Sequence, residues 1–101
     1  MYTIAVKDLT KQHVSNADGF HLQQAIRERL ETDEYVTLSF KGVPYLNTSY
    51  INTAFVELLG DFTLSEIQKR IKIIDSTRQI NKVIKERLVF ESHLAENDGH
   101  N

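Results

Sequence analysis

Three consecutive polar residues, Asn47, Thr48 and Ser49, have types and spacing that could do chemistry. They precede an apolar helical repeat, and each side chain can accept a hydrogen bond from a free N–H group in the first turn of a helix. One interpretation is therefore a helix N-cap. The other is a switch, because a phosphate on Thr48 or Ser49 would add negative charge where the helix dipole favours it. The residues alone leave both interpretations open.

The second candidate site is a basic stretch over residues 69–87, which carries seven basic and two acidic side chains in a chain of net charge −2. The cations that we single out as an anion-binding site are Lys69, Arg70, Lys72, Lys82 and Lys85. Such a density of positive charge attracts phosphate, which makes nucleic acid or a nucleotide a candidate partner. A solvated helix face explains the same charges, and no aromatic residue lies within the stretch to stack on bases.

The sequence contains no motif that is typical of an enzyme active site or a metal site. It has no cysteine, and its histidines (His13, His21, His93 and His100) include no i, i+4 pair of the kind that binds zinc on a helix. Its four glycines are far apart, which excludes the glycine-rich loops that bind nucleotide phosphates. No motif combines a nucleophile with a base. We therefore expect no catalytic residues, no metal and no cofactor.

The elements that must position these residues alternate between strand and helix. The hydrophobic patterns predict strands over 2–6, 35–40 and 71–74, helices over 18–31, 49–59, 64–70 and 77–89, and a loop over 7–17. This order (β-α-β-α-α-β-α) predicts a single small α/β domain, with a mixed sheet and helices packed on it. The direction of the first strand stays open. We place the domain at 1–92 and a disordered polar tail at 93–101.

Several residues mark the ends of these helices. Asn16 or Asp18 is expected to cap the first helix, and Gly60 to end the second at the position after its C-cap. Thr63 with Glu66, and Ser76 with Gln79, have the spacing of capping boxes.

Length and composition set the class of protein. The chain has 101 residues, of which 41% are hydrophobic and 26% charged, which fits one folded domain. No apolar run approaches the length of a membrane helix, and the first residues do not resemble a secretory signal. We expect a cytoplasmic protein without a membrane partner.

The run from Val36 to Ser49 resembles the strand–turn–helix core of STAS domains, in which a strand ends in an acidic-Ser-Ser segment that opens a helix. It is still more similar to bacterial STAS-like domains of unknown function. The positions that fill the pattern of those domains are Phe40, Gly42, Val43, Leu46, Ser49 and Tyr50. The resemblance covers about residues 2–90 and implies a STAS-like fold.

The resemblance also implies a regulatory protein-interaction module without catalysis. STAS domains of anti-sigma factor antagonists bind an ATPase-type kinase and lose that binding when a serine at this helix start is phosphorylated. By this resemblance Thr48 corresponds to the phosphorylated serine and Ser49 to the serine that follows. Asn47 and Tyr50 replace the flanking acidic residue and glycine. We therefore expect Asn47, Thr48, Ser49 and Tyr50 to be the regulatory and partner-binding residues of a module that binds a partner protein, for which an ATPase-like protein is a candidate, through the segment Leu46–Ile51.

Other functions stay open at this point. The basic stretch 69–87 allows a nucleic-acid or nucleotide binder, and a compact chain with few functional marks is compatible with a phage or mobile-element inhibitor that uses this fold. The chain can be a monomer, or it can be a homodimer, because an exposed edge strand can pair with its copy.

Overall fold

The computed structural model of the chain describes residues 3–9 and 15–98, the last four of them by their main chain only. The elements in chain order are β1 (Thr3–Ala5), α1 (Val6–Leu9), α2 (Asn16–Thr32), β2 (Val36–Ser39), α3 (Thr48–Ala54), a 3-10 helix (Val56–Gly60), α4 (Leu64–Arg70), β3 (Ile71–Ile74) and α5 (Arg78–Asp98). The prediction of a small α/β domain is confirmed.

The three described strands form one sheet in the order β1-β2-β3, and all of them run parallel. Thr3 lies beside Thr37, and Thr37 beside Lys72. The sheet is therefore parallel where we expected a mixed one, and the direction of the first strand is settled. The reason is that both connections between strands contain helices, which return the chain to the same end of the sheet.

The core lies between one face of the sheet and the helices. The sheet residues that are buried in it are Ile4, Val36, Leu38 and Ile71. The helices contribute residues at helical spacing, which are Leu22, Ile26 and Leu30 from α2, Tyr50, Ile51 and Ala54 from α3, and Ile80, Ile84 and Leu88 from α5. On the opposite face of the sheet Thr3, Ala5 and Lys72 are exposed. Thr37, which lies between Thr3 and Lys72 on that face, is buried.

Helices α2 and α3 approach each other closely at Gly19. A Cβ atom at this position would lie 2.8 Å from the carbonyl oxygen of Tyr50 and 3.0 Å from Cβ of Thr53. Four residues further along α2, the buried Gln23 donates from Nε2 to the carbonyl oxygen of Thr53 at 2.5 Å and to Oε1 of Glu57 at 3.0 Å. These contacts hold α3 in place against α2.

The beginning of the chain differs from the prediction. β1 spans Thr3–Ala5 rather than 2–6, and residues 6–9, predicted as strand end and loop, form the short helix α1. The Val6 side chain, the first of α1, is fully buried in the core. The rest of the predicted loop, residues 10–14 with His13, lies outside the described residues, as do residues 1 and 2.

Two of the predicted helix caps are wrong. Ser15 caps α2, since its hydroxyl oxygen accepts the amide of Asp18 at 3.1 Å, whereas Asn16 is already helical. Thr77 caps α5, since its hydroxyl oxygen accepts the amide of Ile80 at 3.1 Å. The Ser76 hydroxyl instead donates to Oδ1 of Asn81 at 2.5 Å. In both cases the residue next to the predicted one has the side chain that reaches the free amide.

The helix predicted over 49–59 is divided. α3 ends at Ala54, and a 3-10 helix follows from Val56 to Gly60, so Gly60 does not occupy the position after the C-cap of α3. Phe55, between the two helices, and Leu58, within the 3-10 helix, are both buried in the core.

The second half of the chain follows the prediction more closely. The capping box of Thr63 and Glu66 is present, and α4 and β3 have their predicted bounds. α5 continues to Asp98, beyond its predicted end at residue 89. The disorder of residues 93–101 stays a prediction; the main chain is helical as far as Asp98, and residues 99–101, with His100, lie outside the described part of the chain.

Candidate protein-interaction site

The connection between β2 and α3 is a short loop anchored at both ends. Val43 and Leu46 are buried, and the Val43 amide donates to the carbonyl oxygen of Phe40 at 2.9 Å. Gly42 has a φ of 81°, which residues with a Cβ atom rarely adopt. The sequence Lys41-Gly42-Val43-Pro44 therefore makes the predicted turn and delivers the chain to the start of α3.

Asn47 is the N-cap of α3. Its main chain is extended, its Oδ1 accepts the Tyr50 amide at 2.9 Å, and its carbonyl oxygen accepts the Ile51 amide at 3.1 Å. The N-cap interpretation of this segment is thus confirmed for Asn47. Since Asn47 makes the cap, Thr48 and Ser49 occupy the first two helical positions, and both are exposed.

Tyr50 lies in the core rather than at the surface. It is fully buried, and it is the largest of the fully buried side chains of the described residues. The expectation that Tyr50 contacts a partner is therefore wrong for this structure, because no part of its side chain is accessible. Its contribution is to anchor the first turn of α3, so that Thr48 and Ser49 are presented from a fixed position.

An aromatic residue that the sequence analysis did not single out completes the surface. Tyr45 precedes α3, and its side chain is 52% exposed. Exposed aromatic side chains are enriched at protein interfaces because they supply contact area at a low entropic cost. The signal in the sequence was a tyrosine directly after Pro44, in a turn that leads to polar residues. We call Tyr45, Thr48 and Ser49 the α3 start surface.

Arg70, one of the five predicted anion-binding cations, contacts the protein itself. Its Nη2 donates to the carbonyl oxygen of Leu30 at 2.8 Å, and its Nε donates to the carbonyl oxygen of Glu34 at 2.9 Å. Its guanidinium also stacks over the ring of Phe62, 5.7 Å from the ring centre. Arg70 therefore serves to cap the C-terminal end of α2, where main-chain carbonyl groups lack helical partners.

The other four cations are distributed over three elements. Lys69 lies on α4, Lys72 on β3, and Lys82 and Lys85 on α5; all four are exposed. Lys82 lies 3.9 Å from the carboxylate of Glu86. Lys82 and Lys85 line one surface groove on α5, together with Glu86 and Arg87. The binding of phosphate by the four cations stays a prediction.

Residues 3–9 and 15–98 contain neither a metal-binding cluster nor a membrane-spanning helix. No group of three histidine, aspartate or glutamate side chains there could hold a metal ion. No helix in this part of the chain has the length and apolar content needed to cross a membrane.

The sequence of residues 24–81 matches the family model of the STAS-like domain of unknown function, DUF4325. This range is more than half of the chain, and it runs from α2 to the first turn of α5, with the α3 start surface inside it. The chain belongs to this family. The STAS-like family is not a known family of enzymes, and its function is unknown. No curated protein and no solved structure gives a match to the chain.

Proposed function

We propose that this STAS-like domain is a regulatory protein-interaction module without catalytic activity, and that it binds a partner protein through the α3 start surface. The observation that carries the proposal is the pair of hydroxyl side chains, Thr48 and Ser49, exposed one after the other on a helix start that is anchored in the core. An exposed aromatic, Tyr45, lies three residues before Thr48 in the chain.

The anchoring of this helix start supports the proposal. Asn47 caps α3, Tyr50 and Ile51 bury its inner side, and Gly19 allows α2 to contact its main chain. A surface that is ordered before binding loses less conformational entropy when a partner binds. The same anchoring means that a substitution at the two exposed positions changes the surface and leaves the core intact.

The exposed hydroxyl groups also suit regulation by phosphorylation. Neither hydroxyl makes a hydrogen bond within the described residues, so both are accessible to a kinase. A phosphate would add about −1.5 to −2 charges to an interface surface, which disrupts contacts made to neutral side chains. An ATPase-type kinase is the partner class implied by the resemblance to anti-sigma factor antagonists.

The test is a pull-down from lysate of the native host, with and without ATP. The baits are the parent chain, a Thr48→Asp, Ser49→Asp double variant and a Ser65→Asp variant, and bound proteins are identified by mass spectrometry. Ser65 is the matched control, because it is an exposed serine at the second position of α4, as Ser49 is in α3.

We expect an ATPase-like protein on the parent chain and on Ser65→Asp, and its loss on the double variant. If the double variant retains the same proteins as the parent chain, the α3 start surface is not the binding site. If only nucleic acid is retained, nucleic-acid binding through the basic stretch 69–87 becomes the better explanation.

A further inference from the structure

The outer edge of β3 offers free main-chain hydrogen-bonding groups. β3 is the last strand of the sheet, and among the described residues it pairs only with β2. The Phe40 amide donates to the carbonyl oxygen of Ile74 at 3.1 Å, so the main chain of Ile74 faces β2. Because this direction alternates along a strand, the N–H and C=O of Ile73 point to the open edge. No partner for either group occurs within the described residues.

A groove of about 390 Å³ runs along this edge, between β3, α4 and α5. Its apolar lining consists of Phe55, Ile67, Ile71, Ile73, Ile84 and Leu88. Gln68, Asn81 and Lys85 supply its polar lining. The Ile73 side chain thus lines the groove, while its main-chain groups lie at the strand edge. An apolar groove beside an open strand edge is the geometry that binds extended peptides by adding a strand to a sheet.

The charged side chains near the groove are mostly lysines, which favours an acidic partner. Among the described residues that line it, Lys85 is charged and none is acidic. Lys69 lies two residues before the start of β3, and Lys72 lies within β3, on the face of the sheet opposite the groove. The acidic residue that follows β3, Asp75, already accepts a hydrogen bond from the Ser39 hydroxyl at 2.9 Å. The edge therefore carries positive charge, which complements an acidic chain.

We infer that the β3 edge and its groove bind an extended acidic peptide segment of a partner protein as a fourth strand. The peptide main chain pairs with the N–H and C=O of Ile73. Because successive side chains of a strand point to opposite faces, apolar side chains of the peptide enter the groove, and the carboxylates that alternate with them lie on the face of Lys72. A carboxylate two residues from an apolar side chain lies on the groove face and contacts Lys85. This surface contains none of the residues of the α3 start surface, so the inference does not rest on the function proposed above.

The test begins with selection from a displayed library of random linear decapeptides, with the full chain as target at low salt. We expect enriched peptides in which apolar residues alternate with aspartate or glutamate. The tightest peptide is then synthesised. Amide hydrogen exchange at Ile73, followed by NMR, should slow by about tenfold or more when this peptide binds.

Three variants locate the peptide. Ile73→Pro removes the edge donor, which an edge strand tolerates, and should weaken binding about tenfold. Lys85→Glu should weaken it about fivefold. Lys41→Glu is the matched charge control, because Lys41 is exposed and does not line the groove, and it should bind as the parent chain does. If Ile73→Pro does not fold, the amide exchange rate of Ile73 in the parent chain, with and without the peptide, tests whether the peptide pairs with β3.

Other outcomes overturn the inference. They are the enrichment of no peptide, binding that leaves Ile73 exchange unchanged, and equal binding by Lys85→Glu and Lys41→Glu. A concentration-dependent dimer that Ile73→Pro abolishes, without peptide binding, would assign the edge to a second copy of the chain. Binding of oligonucleotides in preference to acidic peptides would assign the positive charge to nucleic acid.

Discussion

The side-chain oxygen of Asn47 accepts the main-chain N–H of Tyr50 at 2.9 Å. Residues 47–50, which this hydrogen bond spans, have two different roles. Asn47 and Tyr50 hold the first turn of α3, one as its cap and the other in the core, while Thr48 and Ser49 between them face solvent. The segment is thus a structural cap and an exposed surface at once, and these properties can be changed separately.

The cap is tested by Asn47→Ala. We expect the free energy of unfolding in urea to fall by about 1 kcal/mol, because the Tyr50 amide loses its acceptor. Asn47→Asp keeps an acceptor at this position and should stay within a few tenths of a kcal/mol of the parent chain. Equal stability of Asn47→Ala and the parent chain would show that this bond does not hold α3.

The close approach of α2 and α3 is tested by Gly19→Ala. Its new methyl group would lie 2.8 Å from the Tyr50 carbonyl oxygen, so the two helices must separate, and we expect a loss of about 1–3 kcal/mol in the free energy of unfolding. Gly60→Ala is the control, because a Cβ atom there meets no atom within 4 Å, and it should be neutral or stabilising. Equal effects of the two substitutions would contradict the packing described.

The structural role of Arg70 is tested by Arg70→Met beside Lys69→Met. Arg70→Met leaves the carbonyl groups of Leu30 and Glu34 without their donor, and we expect thermal unfolding to show a loss of about 1–3 kcal/mol. Lys69 is an exposed neighbour on the same helix, so Lys69→Met should stay within about 0.5 kcal/mol. If Arg70→Met changes the free energy of unfolding only slightly, the structural role is contradicted and Arg70 is again a candidate anion-binding residue.

The capping box of α4 predicts a pH dependence. The main-chain N–H of Thr63, which donates to Oε1 of Glu66 at 2.9 Å, is the main cause that lowers the Glu66 pKa below 4.5; the hydrogen bond with the Thr63 side chain lowers it further. A lowered pKa in the folded state means that the stabilisation is present above pH 4.5 and is lost as the pH falls through the folded-state value. The difference in stability between the parent chain and Glu66→Gln should therefore shrink on acidification.

NMR titration of the Glu66 carboxyl group measures the same effect directly. In Thr63→Ala we expect its pKa to rise towards the ordinary value, because one of the two hydrogen bonds is lost. An unchanged pKa in this variant would show that the Thr63 side chain does not take part.

Features that depend on neighbours in sequence could be predicted, and the capping box of Thr63 and Glu66 is the best example. Its two signals are local, so they do not depend on the rest of the fold. The α/β class followed from the alternation of strand and helix patterns. The parallel direction of β1 did not, because it depends on where the helical connection places the strand.

Features that depend on distant contacts could not be predicted. Tyr50 looked like a surface residue because it follows three polar positions, yet its side chain is fully buried in the core, and α2 packs against its main chain at Gly19. Arg70 looked like a free cation because its acceptors are main-chain carbonyl groups about 40 residues earlier in the chain. The local sequence also does not reveal the break of the helix at Phe55, because the spacing of Ile51, Phe55 and Leu58 fits an uninterrupted helix.

The most direct test of the interaction surface is a calorimetric titration of the captured partner against Ser49→Asp and Ser65→Asp, beside the parent chain. The two substitutions add the same charge at the second position of an exposed helix start. We predict that Ser49→Asp weakens binding by about tenfold or more, or 1.4 kcal/mol, and that Ser65→Asp binds as the parent chain does. Equal affinity of the two variants would contradict the assignment of the α3 start surface as the binding site.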